Sequence, residues 1–306
     1  MKKLLFTLFL SQIYLCASSQ NIKLIVLGTA QDAGSPQIAC IKECCSNLSN
    51  LEKAERLVVS LGLIDDTNDK SYLFEATPDI VEQFALLQKA SNNTKVTPDG
   101  IFLSHAHIGH YTGLMYLGRE SMNAKMLPIY SMPKMQDFLS NNQPWKQLID
   151  LNNIDLQILE NENAIIFNEQ LSITPILVPH RDELSETVVY KIKGPNKSAL
   201  FIPDIDKWEK WNKDIVEEIK SVDYAFLDAT FFDGDEIKAR DLSEIPHPFV
   251  IESMKLFSSM PKEEKAKVYF IHFNHTNRLL KEESEATMIV KENGFQIARK
   301  GMEFSL

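Results

Sequence analysis

The chain has 306 residues, 44% of them hydrophobic and 24% charged, with a formal net charge of −10. An acidic balance of this size disfavours nucleic acid as a partner, because non-specific affinity for phosphate backbones rests on clustered Lys and Arg. The length is enough for one large α/β domain with a deep core, and beyond the N-terminal stretch no segment is apolar for long enough to cross a bilayer.

Met1-Lys2-Lys3, the apolar run 4–10 and the small residues Ala17-Ser18-Ser19 before Gln20 have the layout of a secretory signal. The expected organisation is a signal peptide over 1–19 and a single domain over 20–306, exported to the periplasm or the medium. Loss of 1–19 removes two lysines and no acid and takes the formal charge from −10 to −12. Cys16 offers a lipid-anchored alternative, but the bulky Leu15 stands where a small residue is wanted, and no stable membrane insertion is expected once the signal is removed.

Apolar, β-branched runs then predict strands at 22–27, 57–64 and 72–74, a helix at 78–89, a strand at 100–103, a helix at 112–120, a strand at 127–130 and a helix at 133–139. Strands follow at 154–158, 173–178, 187–192 and 199–202, with a helix at 205–219 and a strand at 224–227. A helix at 248–257, a strand at 268–271, a helix at 282–292 and a strand at 295–298 complete the chain. Prolines 78, 133 and 248 open their helices at a position that tolerates them. Strands come both as neighbours and separated by helices, so the sheets are mixed and need helices on their outer faces.

All seven histidines fall in four short segments: Ser104-His105-Ala106-His107-Ile108-Gly109-His110, Pro179-His180-Arg181-Asp182, Ile245-Pro246-His247-Pro248 and Ile271-His272-Phe273-Asn274-His275. Three imidazoles within six residues at the end of an apolar run serve no packing purpose, whereas a metal needs several nitrogens converging on one point. Asp204, after the strand at 199–202, is read either as a ligand or as the cap of the helix at 205–219. Beyond Cys16 there are three cysteines, Cys40, Cys44 and Cys45, an odd number that rules out a complete disulfide framework within the chain.

The histidine segment with the following Tyr-Thr-Gly-Leu resembles the HxHxDH motif of the metallo-β-lactamase-fold superfamily, and His180, Asp204 and His272 match its later parts in order. Within the superfamily, the opening 26–37, the cysteine cluster and Ile271–Asn277 are similar to the coenzyme PQQ synthesis protein B group, phosphonate-pathway phosphodiesterases and tRNase Z enzymes. The resemblance implies a four-layer αβ/βα sandwich of two mixed β-sheets flanked by helices. It implies a first metal on His105, His107 and His180 and a second on His110, Asp204 and His272, with Asp204 bridging. Zinc is the foremost expectation, with manganese or iron as alternatives. Asp204, His110 and Asp182 are the candidate catalytic residues, Arg181 and His247 the candidate substrate contacts, and Glu75 sits where the family has a buried acid that orients a ligating imidazole. A structural zinc on Cys40, Cys44, Cys45 and His275 is likewise implied, with one of the adjacent cysteines as a spectator; one disulfide and a free thiol is the alternative.

The chain departs from the motif at Gly109, where the family has a metal-binding aspartate. A weak second site, a single metal, or a carboxylate from elsewhere (Asp32, Asp182 or Asp228) would each follow, and if the site is only weakened, Gly109→Asp is expected to raise occupancy. The leading functional expectation is a metal-activated hydrolase of a small phosphodiester or ester. The alternatives are a metal oxygenase on a tyrosine-derived precursor, like the PQQ-synthesis relatives, and a metal-stabilised binding protein without catalysis.

Overall fold

The computed structural model describes residues 21–91, 95–237 and 241–306; the expected leader 1–19, with Cys16, lies outside them. Fourteen strands are formed among the described residues: β1 Ile22–Gly28, β2 Ser60–Asp65, β3 Lys70–Phe74, β4 Gly100–Phe102, β5 Leu127–Ser131, β6 Ile154–Ile158, β7 Ile165–Ile166, β8 Ser172–Leu177, β9 Val188–Lys193, β10 Ser198–Ile202, β11 Tyr224–Asp228, β12 Val268–Ile271, β13 Gln296–Ile297 and β14 Glu303–Ser305. They make two seven-stranded sheets, ordered β14-β1-β2-β3-β4-β5-β6 and β13-β12-β11-β10-β9-β8-β7.

Side-chain alternation along the inner strands builds three apolar layers. Leu24 and Val26 of β1 face the space between the sheets, where they join Phe74, Phe102, Tyr190, Phe201 and Phe226. Their neighbours Ile25 and Leu27 face outward and pack under the helices Ile80–Ser91 and Pro133–Asn141. On the other sheet Leu200 and Ile202 face the helices Ile215–Lys220, Val250–Leu256 and Glu285–Glu292. Strands buried on both faces therefore read as nearly unbroken apolar runs, and the result is the four-layer sandwich of two mixed sheets that the resemblance implies.

Strand direction positions the site. β1, β2 and β3 pair antiparallel and β4 is parallel to β3, so β1, β3 and β4 end on the same edge. In the second sheet β8, β9 and β10 pair antiparallel and β11 and β12 run parallel to β10, so β8, β10, β11 and β12 also share an exit edge. An isolated parallel bridge between Ala30 and Phe273 ties the two edges together.

Two helical expectations are corrected. The helix at 205–219 is confined to Ile215–Lys220, preceded by a single 3-10 turn at Trp208–Lys210. Trp208 and Trp211 are both buried, and their indole N–H groups donate to Ser253 Oγ and the Leu177 carbonyl; this tertiary anchoring replaces helical pairing. Asp214, and not Asp204, caps the helix that does form. The helix at 112–120 is a short α turn, Ile108–Tyr111, continued as the 3-10 helix Thr112–Leu117.

Candidate metal centre

The clustered histidines and the acids near them leave strand ends. His105, His107 and His110 follow β4, His180 follows β8, Asp204 follows β10, Asp228 closes β11 and His272 follows β12. His272 and Glu75 hold left-handed backbone at φ 66 and 74, a conformation that costs a non-glycine residue roughly 1–3 kcal/mol and is tolerated where a side chain must be aimed.

The first group is compact. His107 Nδ1 lies 2.9 Å from His105 Nε2 and 3.3 Å from His180 Nε2. Asp204 Oδ2 stands 3.4 Å from His105 Nε2 and 3.2 Å from His180 Nε2. Ligand atoms on a tetrahedral zinc at ~2.0 Å are separated by roughly 3.3 Å, so this spacing suits one cation. Beside it, Asp32, His110 and His272 form a second group, with Asp32 Oδ1 at 3.1 Å from His110 Nε2. Asp204 Oδ2 lies 4.0 Å from both His110 Nε2 and His272 Nε2, between the two groups.

The donor set passes a further test for a metal. His110 Nε2, His272 Nε2, Asp32 Oδ1 and Asp204 Oδ1 are buried and lack a partner in hydrogen-bond geometry. Native interiors rarely strand polar atoms in this way, and three of them, on Asp32, His110 and His272, belong to one group whose ligand atoms lie within 4.8 Å of one another, which suits a cation.

The far side of most rings is secured. His180 Nδ1 donates to Asp206 Oδ1 at 3.3 Å, His105 Nδ1 pairs with Ser104 Oγ at 2.8 Å, and His272 Nδ1 pairs with Thr230 Oγ1 at 3.0 Å. Glu75, fully buried, accepts from the Ser104 N–H and stands 3.5 Å from His110 Nδ1. Such partners fix ring orientation and raise ligand basicity. Electrostatics agree: burial alone would push His110 down, yet Glu75 and Asp32 raise it to about 10, and His180 is likewise raised to about 9 against its burial by Asp204 and Asp206. A field that holds protons so firmly also favours metal cations.

His247 is buried next to this centre. Its Nδ1 lies 2.9 Å from Asp228 Oδ2 and 3.1 Å from Asp204 Oδ1. Asp228 also accepts from Thr230 N, Thr230 Oγ1 and the Ile205 N–H, which occupies its lone pairs and makes it an orienting acid. Although burial opposes it, the two carboxylates hold His247 well above the usual imidazole range. A cavity of about 400 Å³ lies beside the centre, lined by Asp32, Arg181, Phe231, Glu244, His247 and His275 among others.

The structure thus gathers His105, His107, His110, His180, Asp204, His272 and His247, and sets Arg181 on the cavity wall. It does not gather Asp182, whose side chain is exposed and belongs to none of the clusters. Asp206 and Thr230 escaped sequence reasoning; only the Asp-x-Asp spacing of 204 and 206 hinted at the first. Of the alternatives weighed for Gly109, the geometry favours a carboxylate supplied from elsewhere over a merely weakened site. A Cβ placed on Gly109 would sit 2.4 Å from Asp32 Cα and 2.5 Å from its Oδ1, so the space is taken.

A separate cluster joins Cys40, Cys44, Cys45 and His275, with one ligand atom from each lying within 4.8 Å of the others. Both adjacent cysteines lie within reach of it, and all three thiols are free of disulfides. Burial and the neighbouring sulfurs push the Cys44 thiol up to about 12, a penalty that a bound cation would relieve.

The two sheets, the strand-end histidines and the shared carboxylate define a metallo-β-lactamase-type α/β sandwich with a cluster of residues suited to a divalent metal. The chain belongs to the beta-lactamase superfamily, whose domain description matches residues 70–273. It is similar to coenzyme PQQ synthesis protein B of Methylobacillus flagellatus, 27% identical over 92% of this chain and 99% of that protein. Among solved structures, zinc-bound PqqB from Methylobacterium extorquens superposes with a TM-score of 0.76 at 19% identity, covering 93% of this chain and all of that one. A diphosphatase of the PhnP family gives 0.62 at 22% identity, covering 94% and 97%, and the short form of human tRNase Z gives 0.57 at 15%, covering 92% and 98%.

Proposed function

We propose that the protein is a metal-dependent hydrolase acting on a small phosphodiester or ester-like substrate. One observation carries this reading: five imidazoles and two carboxylates converge beside a cavity that Asp32 and His247 line, and several of their buried ligand atoms lack a partner in hydrogen-bond geometry. A divalent cation there, zinc foremost, with manganese or iron as alternatives, supplies Lewis acidity and lowers the pKa of bound water toward ~7.

The chain's own residues do the rest. Glu75, Asp206 and Thr230 hold the rings in orientation. His247, paired with Asp228 and lining the cavity, is placed to give a proton to a departing oxygen. Arg181 on the wall offers a guanidinium to an anionic group, and Phe231 offers an apolar face. A cavity of about 400 Å³ suits a small molecule. The likeness to a PhnP-family diphosphatase and to tRNase Z supports phosphoester chemistry.

The similarity to PQQ synthesis protein B over 92% of the chain supports a second reading, oxidative chemistry with iron at the same centre. Loading the protein with zinc, manganese or iron and assaying chromogenic phosphodiesters and esters beside oxygen uptake separates the two. Hydrolysis with zinc or manganese supports the first reading; oxygen consumption with iron and no hydrolysis overturns it. Export through cleavage after Ser19 belongs to the same proposal, and mass spectrometry showing 1–19 retained on secreted protein removes it. A small-molecule substrate, with no nucleic acid and no stable membrane insertion, completes it.

A further inference from the structure

We propose that Asp32, on the loop after β1, supplies the second metal's carboxylate in place of a side chain at 109, and that Gly109 is the clearance admitting it. This rests on reading the histidine cluster as a metal centre.

Three observations lead here. The room in which a side chain at 109 would stand is filled by Asp32 itself, backbone included: a Cβ on Gly109 would meet its Cα at 2.4 Å and its Oδ1 at 2.5 Å. The carboxylate is aimed at the centre: Oδ1 lies 3.1 Å from His110 Nε2, and Asp32, His110 and His272 present ligand atoms within 4.8 Å of one another. All three of those atoms are buried without a hydrogen-bond partner in proper geometry.

The loop is also built to hold the aspartate. Gly34, at φ +73, closes a turn by donating its N–H to the Gln31 carbonyl at 2.7 Å, with Asp32 inside the turn. Gln31 N donates to Phe273 O at 2.8 Å, Phe273 N donates to Thr29 O at 2.7 Å, and Asn274 Nδ2 donates to Gln31 Oε1 at 2.6 Å. Asp32 and His272 are thus carried by two backbone segments paired directly with each other, which fixes their separation before any cation arrives. The other acids near the motifs are unsuited. Asp182 is exposed, and Asp228 has its oxygens engaged by Thr230, Ile205 and His247.

Gly109 is then no decayed motif position. An aspartate from the β1 loop and a side chain at 109 are mutually exclusive, and this chain uses the first.

The test is zinc content per chain, by plasma mass spectrometry after loading the full-length protein with zinc alone, with circular dichroism as the check on folding. Asp32→Ala is expected to lose about one zinc ion per chain while Asp182→Ala keeps the full content. Gly109→Ala removes no ligand atom, yet it is expected to lose the same ion by displacing the loop. Full zinc content in folded Asp32→Ala overturns the assignment. Full zinc content in folded Gly109→Ala overturns the clearance, because a side chain at 109 would then coexist with the Asp32 carboxylate. If Gly109→Ala does not fold, Asp32→Ala, which only truncates a side chain, decides alone. A wild-type protein that takes no zinc at its histidines refutes the metal reading itself, a result distinct from full content in Asp32→Ala.

Discussion

The histidine centre and the cysteine cluster are built from opposite kinds of sequence information. The centre collects side chains from Asp32 to His272, one or a few from each of several strand ends, most of them fully buried. The cluster takes three cysteines from a stretch of six residues and adds His275 from the turn that also carries His272. Around the centre the apolar layers between and outside the sheets are complete without any cation. Around the cysteines they are not: Ile38 and Ile41 of the same loop are 86% and 90% exposed, so little apolar burial holds that loop in place. The fold therefore makes the histidine centre, whereas the cysteine loop has little apolar burial of its own and stands to gain more from a bound ligand.

That contrast is broken or sharpened first by His107→Ala, where the largest effect is expected. Its imidazole is the ligand with 16% side-chain exposure, on the open side, and its loss should lower hydrolysis at least ~1,000-fold with little change in melting temperature. A variant with wild-type metal content and rate would show that the centre is misread. Glu75→Gln comes next. It leaves every ligand in place but weakens the partner of His110, so metal affinity should fall ~10–100-fold, measured by competition with a chelator. Unchanged affinity would make Glu75 a packing residue. Cys40→Ser should do the reverse of His107→Ala, lowering the melting temperature by several degrees while the histidine-bound metal stays, since the two sets share no ligand. An unaltered melting temperature would remove the structural role.

Much of this was legible in the sequence, for physical reasons. The inner strands were readable because burial on both faces leaves nothing but apolar residues, as in Ala199–Ile202. The gathering of the histidines was readable because imidazoles have few other reasons to cluster. Short edge strands such as β7 and β14, two and three residues long, carry too little pattern to be seen. The helix Asn50–Glu55 was missed although Ser49 and Glu52 form a capping box whose spacing is visible in the sequence. Asp32 could be named only as one of three carboxylates, because its approach to Gly109 depends on the pairing of Gln31 with Phe273, a contact across more than 240 residues.

The smallest expected effect tests what protons do at the centre. Without a cation, Glu75 and Asp32 overcome burial to hold His110 at about 10, and Asp204 and Asp206 hold His180 at about 9. Both values are raised above the ordinary imidazole value of ~6.5. The stability they give to the metal-free protein is therefore fully present below ~6.5 and is lost as the pH rises through 9 to 10. Metal competes for the same nitrogens, so binding at pH 7 must expel the protons of His110 and His180, and apparent affinity should fall as the pH is lowered. His247 is also raised, by Asp228 and Asp204, and its Nδ1 faces those carboxylates, outside the group of His105, His107 and His180, so it should keep its proton as an acid for the leaving group. Calorimetric titration with zinc in buffers of differing ionisation enthalpy counts the protons released, and repeating it with His247→Gln isolates the one in question. Equal release from both proteins is the expected result. A smaller release from the variant would mean that His247 gives up its proton on metal binding, which would make it a ligand and leave the centre without its proton donor.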